Sequence, residues 1–404
     1  MLCDSRLILN GFADSGVDEL YAVSLLQHLR DVNRRFFDAT TFSPGDRLSI
    51  SALENHKTLY LLLVDSASDF SNRTIGLEDP AGRAMTTRGL EKGFLVVSRD
   101  GSRDPSVFAA RCVSPQFEES QTTRWLETCR SVHNVGCRLV SNPTEGLSPI
   151  DCQSREVVPA PAEAEYTALS YVWGDAASQN VSTTAESSQG RPLSSMAELP
   201  RVIEDAIALT MAMGLRYLWV DRYCIDQQSS AKHEQIRQMD SIYESAQLTI
   251  VAAAGTDPDY GLPGISRRRS IQQTAKMGRC TIISTMRHPS LEISFTKWSP
   301  RAWKCQEAVL SRRRLVFTDS QVYFECKTMS CHESLSGWRG LSSFASGERL
   351  FGVSVARFFH FLGRVEQYTG RELTYETDSL NAFAGIMRKL AGPRARLDQI
   401  GGIP

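Results

Sequence analysis

Acidic, aromatic and thiol side chains gather in three short blocks of this 404-residue chain. Leu218 to Gln227, LWVDRYCIDQ, runs from an apolar half into a rim of Asp221, Cys224, Asp226 and Gln227. Carboxylates placed there can hydrogen-bond ribose hydroxyls, ligate magnesium or cap a helix. No glycine-rich phosphate loop stands near either acid, so capping and structural hydrogen bonding outrank a metal. Tyr166 to Asp175, YTALSYVWGD, places Ser170, Tyr171, Trp173 and Gly174 after an apolar run. Its aromatic rings could stack on nicotinamide or adenine, and Gly174 would let the backbone approach a ligand closely. Simple core burial is the plainer account of Trp173. Ser299 to Glu307, SPRAWKCQE, carries Arg301 and Trp303, and Glu307 shares a helical face with Trp303 four residues earlier. A carboxylate there either pairs with Arg301 or does chemistry.

The thiols offer less. Cys129, His133 and Cys137 recur every four residues, which puts them on one helical face. Zinc needs a fourth donor and the paired C-x2-C spacing is missing, so the sequence assigns no metal. Cys326, Cys331 and His332 form a similar short group of low weight. A thiol hydrolase using Cys224 or Cys305 with His233 lacks an ordered third group.

The elements that must position these residues follow from periodicity. Strands are expected at 167–172, 217–221 and 248–254, separated by one helix that starts at Pro200 and another that carries Ile236, Met239, Ile242, Tyr243 and Ala246 on one face. Such alternation predicts a parallel sheet covered on both faces, with ligands bound beyond the carboxyl ends of its strands. A helix at 302–310 and a hairpin pairing 315–317 with 322–324 complete that core, and a second hairpin is expected at 281–295. Upstream, an amphipathic helix at 17–32 and apolar runs at 59–64 and 94–98 predict a small α/β region. A helix is expected at 125–137. The boundaries are then an N-terminal α/β accessory region at 1–112, a linker and helical approach at 113–165, a core at 166–330 and a C-terminal helical extension at 331–404.

Composition narrows the class. Lys and Arg number 45 against 46 Asp and Glu, which gives no field to attract nucleic acid. The runs Arg267 to Arg269 and Arg312 to Arg314 read as solvated faces or phosphate contacts. No apolar run reaches the roughly 20 residues of a membrane span. The 10 cysteines lack a disulfide framework, as expected of reduced thiols in the cytoplasm.

Together the three blocks, in this order, resemble the HET (heterokaryon incompatibility) domain of filamentous fungi, over roughly 137–388. The resemblance implies a TIR-like α/β fold, and a role in non-self recognition and programmed cell death activated by protein partners or self-association. The Trp303 to Glu307 spacing is similar to the helix that carries the catalytic glutamate of NAD-hydrolysing TIR domains. That likeness implies Glu307 as catalytic residue, a pocket of Ser170, Tyr171, Trp173, Gly174, Asp221, Cys224, Asp226, Arg301 and Trp303, and NAD as substrate, with no cofactor. Its chemistry is the stabilisation of an oxocarbenium-like state by a carboxylate. A non-catalytic signalling module is the rival, and a HET fold recruited into secondary metabolism a remoter alternative. The chain departs from the commoner HET pattern at Arg222 and Tyr223 and at Lys304 and Cys305, and from TIR domains in a long insertion at 255–300.

Overall fold

The computed structural model describes residues 109–133, 137–138, 146–174, 191–193, 199–226, 232–277, 280–284, 286–287 and 289–336, with strands at 58–62, 74–78, 84–86 and 94–99 and the positions Tyr368, Phe383 and Ile386. The helix expected at 17–32 and most of the C-terminal extension lie outside the described residues. Two compact units divide the chain: Met1–Ser114 with Ser270–Glu292 and Cys331–Glu348, and Pro115–Arg269 with Ile293–Ser330 and Arg349–Pro404.

In the first unit the apolar runs become strands Thr58–Leu62 and Phe94–Arg99, which pair antiparallel. Cys280–Ser284 joins the other side of Phe94–Arg99, and Thr274–Met277 pairs with Cys280–Ser284. The hairpin therefore lies upstream of the 281–295 expected from sequence. Pro289 explains the shift, since it removes a ladder donor and instead opens the short helix Pro289–Ser294. Gln272 stitches three segments of this unit: its side chain accepts from Val113 N at 2.7 Å and donates to Arg111 O at 3.0 Å and Ser284 O at 2.6 Å.

The second unit opens with α1 (Glu119–Val132), which begins inside the expected linker and ends before Cys137. Short strands β1 (Ile150–Asp151) and β2 (Glu156–Val157) follow, then β3 (Tyr166–Ser170), β4 (Arg191–Pro192) and α2 (Arg201–Ala212). Next come β5 (Tyr217–Val220), α3 (Lys232–Arg237), α4 (Met239–Ser245) and β6 (Leu248–Ala252). The unit continues through α5 (Ala302–Leu310) to the hairpin β7 (Arg313–Phe317) and β8 (Val322–Cys326).

These eight strands and a short edge strand, Ser330–His332, which lies beside β8, form one nine-stranded sheet, whose order from β8 is β8-β7-β6-β3-β5-β1-β2-β4. The four central strands β7, β6, β3 and β5 run parallel, and antiparallel strands flank them on both sides. Fully buried runs such as Leu248-Thr-Ile-Val-Ala252 are what a parallel strand covered on both faces requires. The chain goes from β3 to β5 on one side and returns to β6 on the other, so the connections diverge at β3, where open α/β sheets leave a crevice for ligands.

Helix-to-strand contacts fix this layout. Tyr166 Oη donates to Ile242 O at 2.7 Å and Tyr243 Oη to Leu169 O at 3.1 Å, which ties β3 to α4. Trp219 meets the Tyr243 ring edge-on at 5.5 Å, adding attraction beyond area burial. On α2, Thr210 Oγ1 lies 2.6 Å from Thr167 Oγ1. Val251, Ala253, Ile293, Trp298, Ala308, Val316 and Tyr323 pack as a buried apolar cluster.

The Arg312 to Arg314 run is no solvated face: all three side chains are buried. A buried guanidinium costs several kcal/mol unless it is paired. Arg312 meets Glu244 at 3.2 Å, Arg314 meets Glu325 at 3.2 Å, and Arg313 Nη2 donates to Cys137 O at 2.8 Å. Arg269 of the other run is buried as well, and Arg267 stacks over the Tyr260 ring at 3.8 Å. No helix among the described residues is long and apolar enough to cross a membrane.

Candidate functional site

The carboxyl ends of β3 and β5 deliver Ser170 and Tyr171 on one side and Asp221 on the other. Asp221 opens a single turn, Asp221–Cys224, but caps nothing downstream: its Oδ1 accepts from the adjacent Arg222 N at 2.8 Å. Trp173 Nε1 donates to both carboxylate oxygens at 3.1 Å, so Trp173 orients the acid as well as filling space. Burial raises the Asp221 carboxyl to about 6, with Lys304 opposing the rise and Glu307 adding to it. Gly174, with φ at 81°, turns the chain in the left-handed region where a Cβ is costly.

α5 supplies the opposing wall. Glu307 is 1% exposed, and both of its oxygens meet Lys304 Nζ, at 3.0 and 2.9 Å. The pairing with Arg301 considered from sequence is thus replaced by one with Lys304, one helical turn before Glu307. Arg301 stands immediately before α5, half-buried like Trp303, Trp173 and Gly174. Tyr243 lies against Glu307, and burial with that carboxylate and Asp221 pushes its phenol well above the ordinary range. Ser170 Oγ accepts from Trp298 Nε1 at 2.9 Å, which spends Ser170 on positioning a core indole.

Tyr171 has the clearest unspent capacity. Its hydroxyl is buried and has no hydrogen-bond partner among the described residues. Burial, reinforced by Asp221 and Tyr223, keeps the phenol neutral by raising it well above its usual value. A buried hydroxyl without a partner is costly, and such atoms tend to mark where a ligand is received.

The structure thus brings Tyr171, Trp173, Asp221, Lys304 and Glu307 into one electrostatic cluster. It sends two of the sequence candidates elsewhere. Cys224 Sγ accepts from Val220 N at 3.2 Å and donates to Leu218 O at 3.9 Å, closing the end of its own strand. Asp226 donates its amide to Gln235 Oε1 at 3.3 Å and lies half-buried after the turn. Lys304 is the site residue that sequence reasoning passed over, although its spacing of three from Glu307 on a helix was the signal available.

The objection to a metal at Cys129, His133 and Cys137, that a fourth donor is missing, does not hold in the fold: Cys326 at the end of β8 joins them.

Two acids, one ammonium and an unpartnered phenol beyond the ends of parallel strands can bind hydroxyl-rich or cationic groups and stabilise positive charge that develops between them. No curated protein and no solved structure matches the chain. Residues 166–307, which span β3 to Glu307 and so contain this cluster, match the family model described as Heterokaryon incompatibility protein (HET).

Proposed function

We propose that this chain is a HET-domain protein that acts in fungal non-self recognition and programmed cell death, and that its core does so by hydrolysing the nicotinamide–ribose bond of NAD. The observation that carries the reading is the convergence of Asp221 and Glu307, from different elements, on Lys304 beside the unpartnered Tyr171 hydroxyl. In that reaction the C–N bond to nicotinamide breaks, its electron pair leaves with neutral nicotinamide, and positive charge spreads over C1′ and the ring oxygen of the ribose. Glu307 faces that charge, Tyr171 donates to a ribose hydroxyl, and a water adds to C1′ as its proton passes to Asp221. No general acid is required, because nicotinamide leaves readily.

A second reading is supported by the Lys304–Glu307 pair itself. Both carboxylate oxygens are engaged by the ammonium, which weakens the field Glu307 can offer a developing cation. A HET core that signals by protein contact alone would keep that pair closed. Incubating the purified chain with NAD separates the two. Free nicotinamide is expected, and its release should be lost in the double variant Lys304→Met/Glu307→Gln. If overexpression arrests growth without nicotinamide release or NAD depletion, the hydrolytic reading fails and the signalling module stands.

A further inference from the structure

Far from this cluster in sequence, α1 presents Cys129 near its end and His133 as the residue after it. His133 N donates to Cys129 O at 3.1 Å and Cys137 N to His133 O at 3.2 Å. These two bonds link Cys129 to His133 and His133 to Cys137. β8 brings Cys326 to the same place, with its Sγ 3.5 Å from His133 Nδ1. The ligand atoms of all four lie within 4.8 Å of one another. The three cysteines are buried and none is in a disulfide.

What surrounds the sulfurs is as telling as their spacing. Arg313 Nε donates to Cys129 Sγ at 3.2 Å. Thr328 N and Met329 N donate to Cys326 Sγ at 3.4 and 3.2 Å, and the Lys327 amide donates to Cys137. Every sulfur therefore accepts an N–H bond, which suits a thiolate much better than a thiol, a weak acceptor. A divalent cation bound at the centre would take all three sulfurs as thiolates, and the N–H donors with the Arg313 guanidinium would then meet the charge left on them.

We propose that Cys129, His133, Cys137 and Cys326 form a structural zinc site that fastens the end of α1 to the end of β8. Three sulfurs and one imidazole are the donors Zn²⁺ favours, whereas magnesium and calcium prefer oxygen. Bond lengths of about 2.3 Å to sulfur and 2.0 Å to nitrogen place tetrahedral ligand atoms roughly 3.5–3.8 Å apart, a small contraction of the arrangement seen. With all four positions filled by protein the metal has no open face, so it holds structure and takes no part in NAD chemistry. It joins segments almost two hundred residues apart in the chain, the kind of closure that most restricts the unfolded state.

The test is metal content of the full chain, purified under reducing conditions without chelator. About one zinc per chain is expected, and Cys137→Ser or Cys326→Ser should lower it at least about tenfold. Cys112→Ser, which alters an exposed thiol outside the cluster, should keep it. Because a ligand variant could fail to fold, cobalt is exchanged into the unaltered chain as a second measurement. Intense visible d–d bands with a near-ultraviolet thiolate charge-transfer band report a tetrahedral sulfur-rich site. Less than about a tenth of a zinc per chain in the unaltered protein overturns the proposal. So does a weak octahedral cobalt spectrum, or a disulfide between two of the three cysteines in the freshly purified protein.

Discussion

Removing one member of a buried ion pair costs far more than removing both, because the survivor stays charged and dry. Glu307→Gln strands Lys304, which is 2% exposed, so the single variant should lose about 3–5 kcal/mol of stability in denaturant unfolding. Lys304→Met/Glu307→Gln should recover most of that loss. Loss of toxicity in Glu307→Gln alone would therefore confuse folding with chemistry, and the double variant is the proper comparison. Asp221 gives a pH signature. Its folded value of about 6 lies above the unassociated 3.8, so the fold holds the proton more tightly than the unfolded chain does. The stability tied to this group is complete below about pH 4, falls as pH rises to 6, and beyond that leaves a penalty of roughly 3 kcal/mol. Unfolding midpoints at pH 5 and pH 7 should differ less in Asp221→Asn than in the unaltered chain. If hydrolysis needs the ionised acid, nicotinamide release should also decline below about pH 6, and that acid limb should vanish with the substitution.

Strand β7 shows what an element can hide from its sequence. Arg313-Arg-Leu-Val-Phe317 is buried throughout, with Arg314 paired by Glu325 on β8 and Arg313 held by Cys137 O, while Glu244 on α4 pairs Arg312 just before the strand. Arg314→Met would leave Glu325, fully buried at 0% exposure, without its guanidinium, and should cost about 3–5 kcal/mol by denaturant unfolding. Arg314→Met/Glu325→Met should cost less than the single change, since both charges then leave the core together. Strands β3, β5 and β6 were legible because apolar runs of strand length, separated by helical periods, admit few other arrangements. The β7–β8 hairpin was legible from its two apolar runs around Asp319 and Ser320. The burial of its arginines was not, because composition cannot say that a partner on another strand will neutralise a charge. Cys326 was hidden for the same reason: its distance from Cys137 along the chain carries no trace of their meeting across α1 and β8. At the candidate site, Asp221, Trp173 and Glu307 were visible as residue types at strand and helix ends. The closing of Glu307 by Lys304 depended on rotamers inside a buried wall.

At the scale of the molecule, each unit is assembled from three separated stretches of chain. Strand Phe94–Arg99 of the first stretch pairs with Cys280–Ser284 of the second, so a cut anywhere between 113 and 165 severs the backbone without parting that sheet. A nicked chain should elute as one species in gel filtration and separate only in denaturant; two peaks under native conditions would show that these pairings do not hold the pieces. A fragment that begins at 115 should be poorly soluble, because Cys280–Ser284 would present an open strand edge. The same pairing bears on how the chain is born. Ribosomes add about 5–20 residues per second, so Phe94–Arg99 emerges roughly ten to forty seconds before its partner at Cys280 exists. Through that interval one edge of the strand is satisfied by Thr58–Leu62 and the other is bare. The nascent chain is thus most open to misassociation while residues 166–307 are being made, and shielding of that edge by a chaperone would set the yield of the finished protein.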